Sequence, residues 1–282
     1  MSTVHVAAGV GLALSLGVGG CSAAGGEGEP DADAPVDLVG SFVQQRTDEG
    51  TTRAHVRLTN DGDSTVQVDG VGLVWPGYDD RVYDTDASFR PGATIDLSVE
   101  LTGRACAPTD KAPRAQVRMG ERTLTLPLDD SGTRALHNVW ERACAAEAVA
   151  EAVDVRFGPE WVPGGRKPGA PLRGTIEVTR GSADGPVALT GLQGSVLLDL
   201  EAAKPSTPLL SLPAEDDTAA LPVTLGSNGR CDAHALGGST QTFLLRVLVS
   251  LDGGEPQAVI LGLDKPTQSR VLAAVHAACG VG

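Results

Sequence analysis

The sequence predicts a mainly β protein built of two tandem β-sandwich domains, each closed by a short C-terminal helix tied by a disulfide. Three observations carry that prediction. Short alternating segments rich in Val, Leu and Thr are separated by Gly- and Pro-bearing turns. The chain repeats itself in order at a near-constant offset. Four cysteines beyond the N-terminal segment fall into matching pairs within that repeat. A hydrophobic content of 41% is enough to fill a core, and aromatics at 3% mean that Val, Leu and Ala must build it.

Residues 1–20 read as an export signal. From Val4 to Val18 the chain is apolar or small apart from His5 and Ser15, and it is shorter than the roughly 20 residues a membrane-spanning helix needs. It ends in Val18-Gly19-Gly20-Cys21. This resembles the bacterial lipoprotein signal, in which an apolar residue and two small ones precede the Cys that takes the lipid. The resemblance implies lipidation at Cys21 and attachment to the membrane through that lipid. Met1-Ser2-Thr3-Val4-His5 lacks the Lys or Arg of such signals, which an upstream start codon would supply. After Cys21, residues 22–35 carry Glu27, Glu29, Asp31 and Asp33, no positive charge and no aliphatic residue larger than Ala. That composition is a flexible acidic tether.

The remainder divides into two copies, 36–150 and 151–282. Leu126-Pro127-Leu128-Asp129 matches Leu261-Gly262-Leu263-Asp264, and Ala143-Cys144 matches Ala278-Cys279, all 135 positions apart. Upstream, Val66-Gln67-Val68-Asp69-Gly70-Val71 matches Val187-Ala188-Leu189-Thr190-Gly191-Leu192 at an offset of 121. Gly103-Arg104-Ala105-Cys106 resembles Gly229-Arg230-Cys231 at an offset near 125. Offsets only grow, as they do when the second copy has longer loops.

Each copy reads as six strands and a helix. In the first, strands are expected over 37–45, 53–59, 66–74, 94–101, 115–119 and 122–128; in the second, over 153–157, 172–179, 187–200, 219–225, 242–251 and 257–263. Met119-Gly120-Glu121-Arg122 and Leu251-Asp252-Gly253-Gly254-Glu255 are hairpin turns. Asp130 or Ser131 caps the first helix, whose apolar stripe is Leu136, Val139, Trp140, Ala143 and Cys144. That helix runs almost directly into the second copy, which predicts a semi-fixed relation between the domains. Pro266 opens the second helix, with Val271, Val275, Ala278 and Cys279 on its stripe. Trp161, in Pro159-Glu160-Trp161-Val162-Pro163, is expected to pack at the seam between the domains.

With Cys21 taken by the lipid, four cysteines remain: Cys106, Cys144, Cys231 and Cys279. An even number in an exported chain points to disulfides. Of the three possible pairings the repeat selects Cys106–Cys144 and Cys231–Cys279, each joining the end of a core strand to the terminal helix. No Cys-x-x-Cys occurs, and His137 and His276 do not align between copies, so no metal site is expected.

A net charge of −14 argues against nucleic acid as a partner, since phosphate neutralisation needs a basic face. No nucleophile elbow, zinc-protease motif, phosphate loop or Ser-x-x-Lys is present. No catalytic residue and no cofactor are therefore assigned. His55 is expected to face solvent on its strand with Arg53 and Arg57, and His234 lies in a loop. The richest cluster is segment 75–86, which holds both tyrosines of the chain. Trp75, Tyr78, Asp79, Asp80, Tyr83, Asp84 and Asp86 are its candidate ligand-binding residues: rings stack on a sugar or peptide and carboxylates accept hydrogen bonds. The same oxygens would suit Ca²⁺, and Asp79 with Asp84 is the one carboxylate pair a hydrolase would use. The aligned stretch 200–208 of the second copy lacks these groups, so such a site belongs to the first domain.

Together with turns such as Leu58-Thr59-Asn60-Asp61-Gly62, the signal and strand pattern resemble exported lipoproteins of actinobacterial type that carry small Ig-like domains. The resemblance implies two tandem Ig-like sandwiches on the extracytoplasmic face of the cell membrane. The expected role is a non-catalytic binding or scaffold module with an envelope protein or glycan partner. The alternative is an accessory protein that binds sugars or peptides through segment 75–86 and serves a transporter or cell-wall enzyme.

Overall fold

The computed structural model describes residues 36–281. The signal 1–20, Cys21 and the tether to residue 35 lie outside the described residues.

Seven strands build the first sandwich: β1 (Leu38–Val43), β2 (Arg53–Asn60), β3 (Val66–Val74), β4 (Arg81–Phe89), β5 (Thr94–Glu100), β6 (Arg114–Met119) and β7 (Arg122–Pro127). They form two antiparallel sheets, ordered β1-β2-β5 and β4-β3-β6-β7. Alternation decides which side chains meet between them. In β2, Ala54, Val56 and Leu58 are wholly buried while Arg53 and Arg57 are exposed. Phe42, Val68, Val71, Phe89, Val99, Val117 and Leu136 complete this core. This is an immunoglobulin-like arrangement in which the fourth strand pairs with the third.

The second sandwich repeats it. Its strands are β8 (Val153–Phe157), β9 (Val162–Pro163), β10 (Leu172–Arg180), β11 (Val187–Gln193), β12 (Leu198–Ala202), β13 (Leu210–Leu212), β14 (Thr218–Ser227), β15 (Leu245–Leu251) and β16 (Gln257–Leu261). The orders β12-β14-β10-β8 and β13-β11-β15-β16 reproduce the first pair, with β12 added at one edge and β9 paired to β10. The repeat extends to an irregularity. β3 slips register against β4 between Val68 and Gly70, and β11 slips against β15 between Leu189 and Gly191, at the positions the offset of 121 aligns. A one-residue slip changes which parity faces inward: Val66 and Val68 are buried before it, Val71 and Leu73 after it.

The helices are α1 (Asp130–Ala152), α2 (Ala233–Gly238) and α3 (Lys265–Ala278). The repeated Leu-x-Leu-Asp step explains where α1 and α3 begin. Asp129, rather than Asp130 or Ser131, caps α1 by accepting the Gly132 N–H at 2.6 Å. Asp264 caps α3 by accepting the Thr267 N–H at 2.6 Å. At 23 residues α1 is longer than a closing helix needs to be, and β8 starts at the residue after it.

Several features depart from the expectation, among them His234, which stands in α2 rather than in a loop, and the short strands β9 and β13. Arg81–Phe89 is a strand rather than loop. The apolar run 187–200 is two strands, because the chain turns at Gly194, where a Cβ would sit 2.1 Å from the Leu198 carbonyl oxygen. Trp161 packs within the second sandwich, not at the seam: it is buried with its ring edge-on to Phe157 at 5.3 Å, over Gly174.

Candidate functional site

The structure separates the seven candidate residues of segment 75–86 into two groups. Trp75 is 2% exposed and Tyr78 is 7% exposed. The Trp75 indole meets Trp140 and His137 of α1 edge-on at 5.6 and 4.9 Å, and its Nε1–H donates to the Lys111 carbonyl at 2.9 Å. Gly77 makes room for it, since a Cβ there would stand 2.2 Å from the ring. Burial pushes the Tyr78 hydroxyl up from its ordinary value, against the opposing charge of Arg104. Asp80 accepts the Trp75 backbone N–H at 3.1 Å, and the Asp79 N–H donates to the Thr102 carbonyl at 2.9 Å. Trp75 and Tyr78 turn inward, Trp75 onto α1, while Asp79 and Asp80 stay exposed and brace the turn.

Tyr83, Asp84 and Asp86 stand on β4, an edge strand. The Tyr83 hydroxyl donates to the Glu100 carbonyl at 2.9 Å, and the Arg81 guanidinium lies 5.3 Å from its ring centre. Asp84 accepts from Arg118 at 2.5 Å, and Asp86 from Gln67 at 2.6 Å. Asp84 and Asp86 are thus each engaged by a different partner. Among the described residues no three His, Cys, Asp or Glu gather as a metal site would require. Of the three candidate rings, Trp75 and Tyr78 are core residues and Tyr83 is half-buried on β4; a sandwich with few aromatics uses the first two to seat its helix.

Beside that turn, the loop from β5 to β6 is latched to α1. Cys106 and Cys144 are bonded, as are Cys231 and Cys279, so both pairings follow the repeat. Cys106 and Cys231 sit in loops beyond β5 and β14 rather than at the strand ends. Arg104 donates to the Ala143 carbonyl at 2.8 Å and to Glu147 at 3.1 Å, and Trp140 Nε1–H donates to the Ala105 carbonyl at 2.9 Å.

The residues that come closest to a built site lie where the sandwiches meet. His55 is on the outward face with Arg53 and Arg57, yet it is only 8% exposed. A turn of 3-10 helix, Arg46–Asp48, folds over it and brings the Asp48 carboxylate to 3.0 Å from Nε2. Asp48 also accepts the Gln45 N–H, and its carbonyl accepts the Thr51 hydroxyl at 2.7 Å. The turn thus held points its next residues at the second sandwich. Glu49 pairs with Arg246 of β15 at 2.5 Å, the Arg46 carbonyl accepts from Gln241, and Gly50, at φ +81°, lies against Leu244 and Ile260.

Two clefts flank the Glu49–Arg246 pair. One, of about 590 Å³, is lined by Arg46, Arg230, His234, Ser239 and Arg246 among others. The second, of about 630 Å³, includes Tyr78, Arg104, Arg142, Glu147 and Ile260. Their charged lining residues are five arginines and two glutamates, with His234 besides. Sequence reasoning missed this site because its residues come from widely separated stretches of both sandwiches; Tyr78, Arg104, Ala143, Arg230 and His234 had each drawn notice, but for other roles and never together.

The sequence matches no protein-family model and no curated protein. Among solved structures it is similar to the calcium-binding domain CBD12 of CALX1.1, at 16% identity and TM-score 0.19 over 79% of this chain and 80% of that one. It is similar to the exo-chitosanase CsxA of Amycolatopsis orientalis, at 12% identity and TM-score 0.20 over 80% of this chain and 26% of that one. A protein of unknown function from Porphyromonas gingivalis W83 has 16% identity and TM-score 0.20 over 80% and 98% of the two chains. Likeness at this level carries no argument about ligand or activity.

Proposed function

We propose that this chain is a lipid-anchored, extracytoplasmic envelope protein that acts without catalysis, as a binding or scaffold module presenting its two sandwiches as one body. The observation that carries the reading is the join between them. α1 hands over to β8 with no intervening residue, and the Glu49–Arg246 and Arg46–Gln241 contacts tie the sandwiches a second time. A body fixed at two places holds surfaces from both domains in register, which is what a scaffold or a two-domain binding surface requires. The two disulfides support an oxidising compartment, and Val18-Gly19-Gly20-Cys21 supports a lipid at Cys21. The sugar- or peptide-binding alternative through segment 75–86 loses Trp75 and Tyr78 to the core and keeps only the half-buried Tyr83 ring, so binding is better sought at the seam.

The anchor is tested by labelling cells with radioactive palmitate. Label on the wild type and none on Cys21→Ala, with the variant released from the membrane fraction, is the expected result. An unlabelled wild-type protein overturns the anchor. Crosslinking of the anchored protein in intact cells then tests the scaffold role, whose expected result is a reproducible envelope neighbour captured through the first or second sandwich.

A further inference from the structure

We infer that the cleft beside the Glu49–Arg246 pair is a binding site for a ligand bearing a phosphate or carboxylate oxyanion. The inference rests on geometry and charge at the seam and does not depend on the lipid anchor.

The first observation is an inversion of sign. The chain carries −14, and both domains are acidic on their own. The cleft of about 590 Å³ nonetheless has Arg46, Arg230 and Arg246 in its wall, with Glu49 in the wall and Asp232 beside Arg230 as the acids against them. Arginines brought together at one place in an acidic protein repel one another, and an anion between them relieves that repulsion.

The second is that this charge is incompletely used. Arg246 is paired with Glu49, and Arg230 bonds Asp232 at 2.9 Å. Among the described residues no carboxylate lies within ion-pair distance of Arg46, whose side chain is exposed in the cleft wall. Its backbone carbonyl, by contrast, is occupied by Gln241. The turn therefore fixes the backbone of Arg46 and leaves its guanidinium free for a ligand.

The third is an orphan hydroxyl. Ser239 Oγ is buried without a hydrogen-bond partner, and Ser239 belongs to the same wall. A buried donor without a partner is costly unless something fills its place. A guanidinium fork offers two parallel N–H donors to a carboxylate or phosphate. The cleft volume lies in the ordinary range for small-ligand pockets, roughly 300–1,000 Å³. Because the walls come from both sandwiches, the site exists only while the seam is closed.

The test is calorimetric titration of the whole exported domain pair at low ionic strength. Inorganic pyrophosphate serves as the phosphate probe and citrate as the carboxylate probe. Sodium chloride at matched ionic strength is the control. One saturable site for at least one probe is expected, with affinity falling about tenfold or more in Arg46→Gln and Arg230→Gln, the loss of a charge-assisted hydrogen bond. Arg173→Gln, an exposed position away from the seam, should bind as the wild type does. Both cleft substitutions are of exposed side chains, and circular dichroism checks that the variants fold. Which probe binds identifies the oxyanion. Absence of saturable binding by either probe, heats matched by chloride, or unchanged affinity in both cleft variants overturns the inference.

Discussion

At the scale of single residues, acids set the limits of this fold. Arg57 holds the Asp96 carboxyl below the usual carboxylate range through paired bonds at 2.7 and 2.9 Å. At Asp129 partial burial pushes the carboxyl up, but the bonds from Gly132, Ser131 and Ser41 outweigh it and leave it low. Both groups bind a proton less well folded than unfolded. Each therefore stabilises the protein above the unfolded carboxylate value, and that contribution disappears as pH falls through the lower folded value. Thermal melts should drop progressively as pH falls below about 4, the unfolded carboxylate value, and Arg57→Gln should shallow that limb. Asp129→Ala should cost about 1–2 kcal/mol in urea unfolding at neutral pH, the range for a lost helix cap. Trp75→Ala should cost about 3–5 kcal/mol, because the indole is core; a change below 1 kcal/mol would mean that the ring is dispensable to the fold.

At the scale of elements, the staples decide stability. The disulfides close loops with sequence separations of 38 and 48 residues, each worth about 4 kcal/mol in the chain-entropy view and less where strain intervenes. Replacing Cys106 and Cys144 together by Ser should lower the urea midpoint of the first sandwich, and Cys231 with Cys279 that of the second, each by the equivalent of about 2–4 kcal/mol. How much was legible follows from the same elements. Strands such as β2, β3, β5 and β10 were readable because one face is Val, Leu or Ile and the other polar. β4 was not, because Arg81, Asp84 and Asp86 give it a charged face that a covered strand would not tolerate and an edge strand does. The break at Gly194 was hidden inside an unbroken apolar run. His55 was read correctly for its face and wrongly for its exposure, since the turn that covers it comes from the preceding connection. The inward turn of Trp75 and Tyr78 likewise depends on α1, some 60 residues away, and no local pattern announces it.

At the scale of the whole molecule, the seam makes two sandwiches act together. Glu49→Gln should loosen it without unfolding either domain, and limited proteolysis should then cut within 44–51 faster than in the wild type; an unchanged digestion rate would mean that α1 alone fixes the join. The route of the chain through its disulfides also determines how it carries load. Tension entering from β5 crosses from Cys106 to Cys144 through a covalent bond and leaves by the end of α1 into β8. β6 and β7 lie off that line. In the second sandwich the Cys231–Cys279 bond shields β15, β16 and most of α3 in the same way. A single molecule pulled by its ends should thus extend less when oxidised than when reduced, by roughly 130 Å for the first bond and 165 Å for the second at full chain extension. A protein tethered at one end and gripped at the other would keep about a third of each sandwich sheltered from the pull.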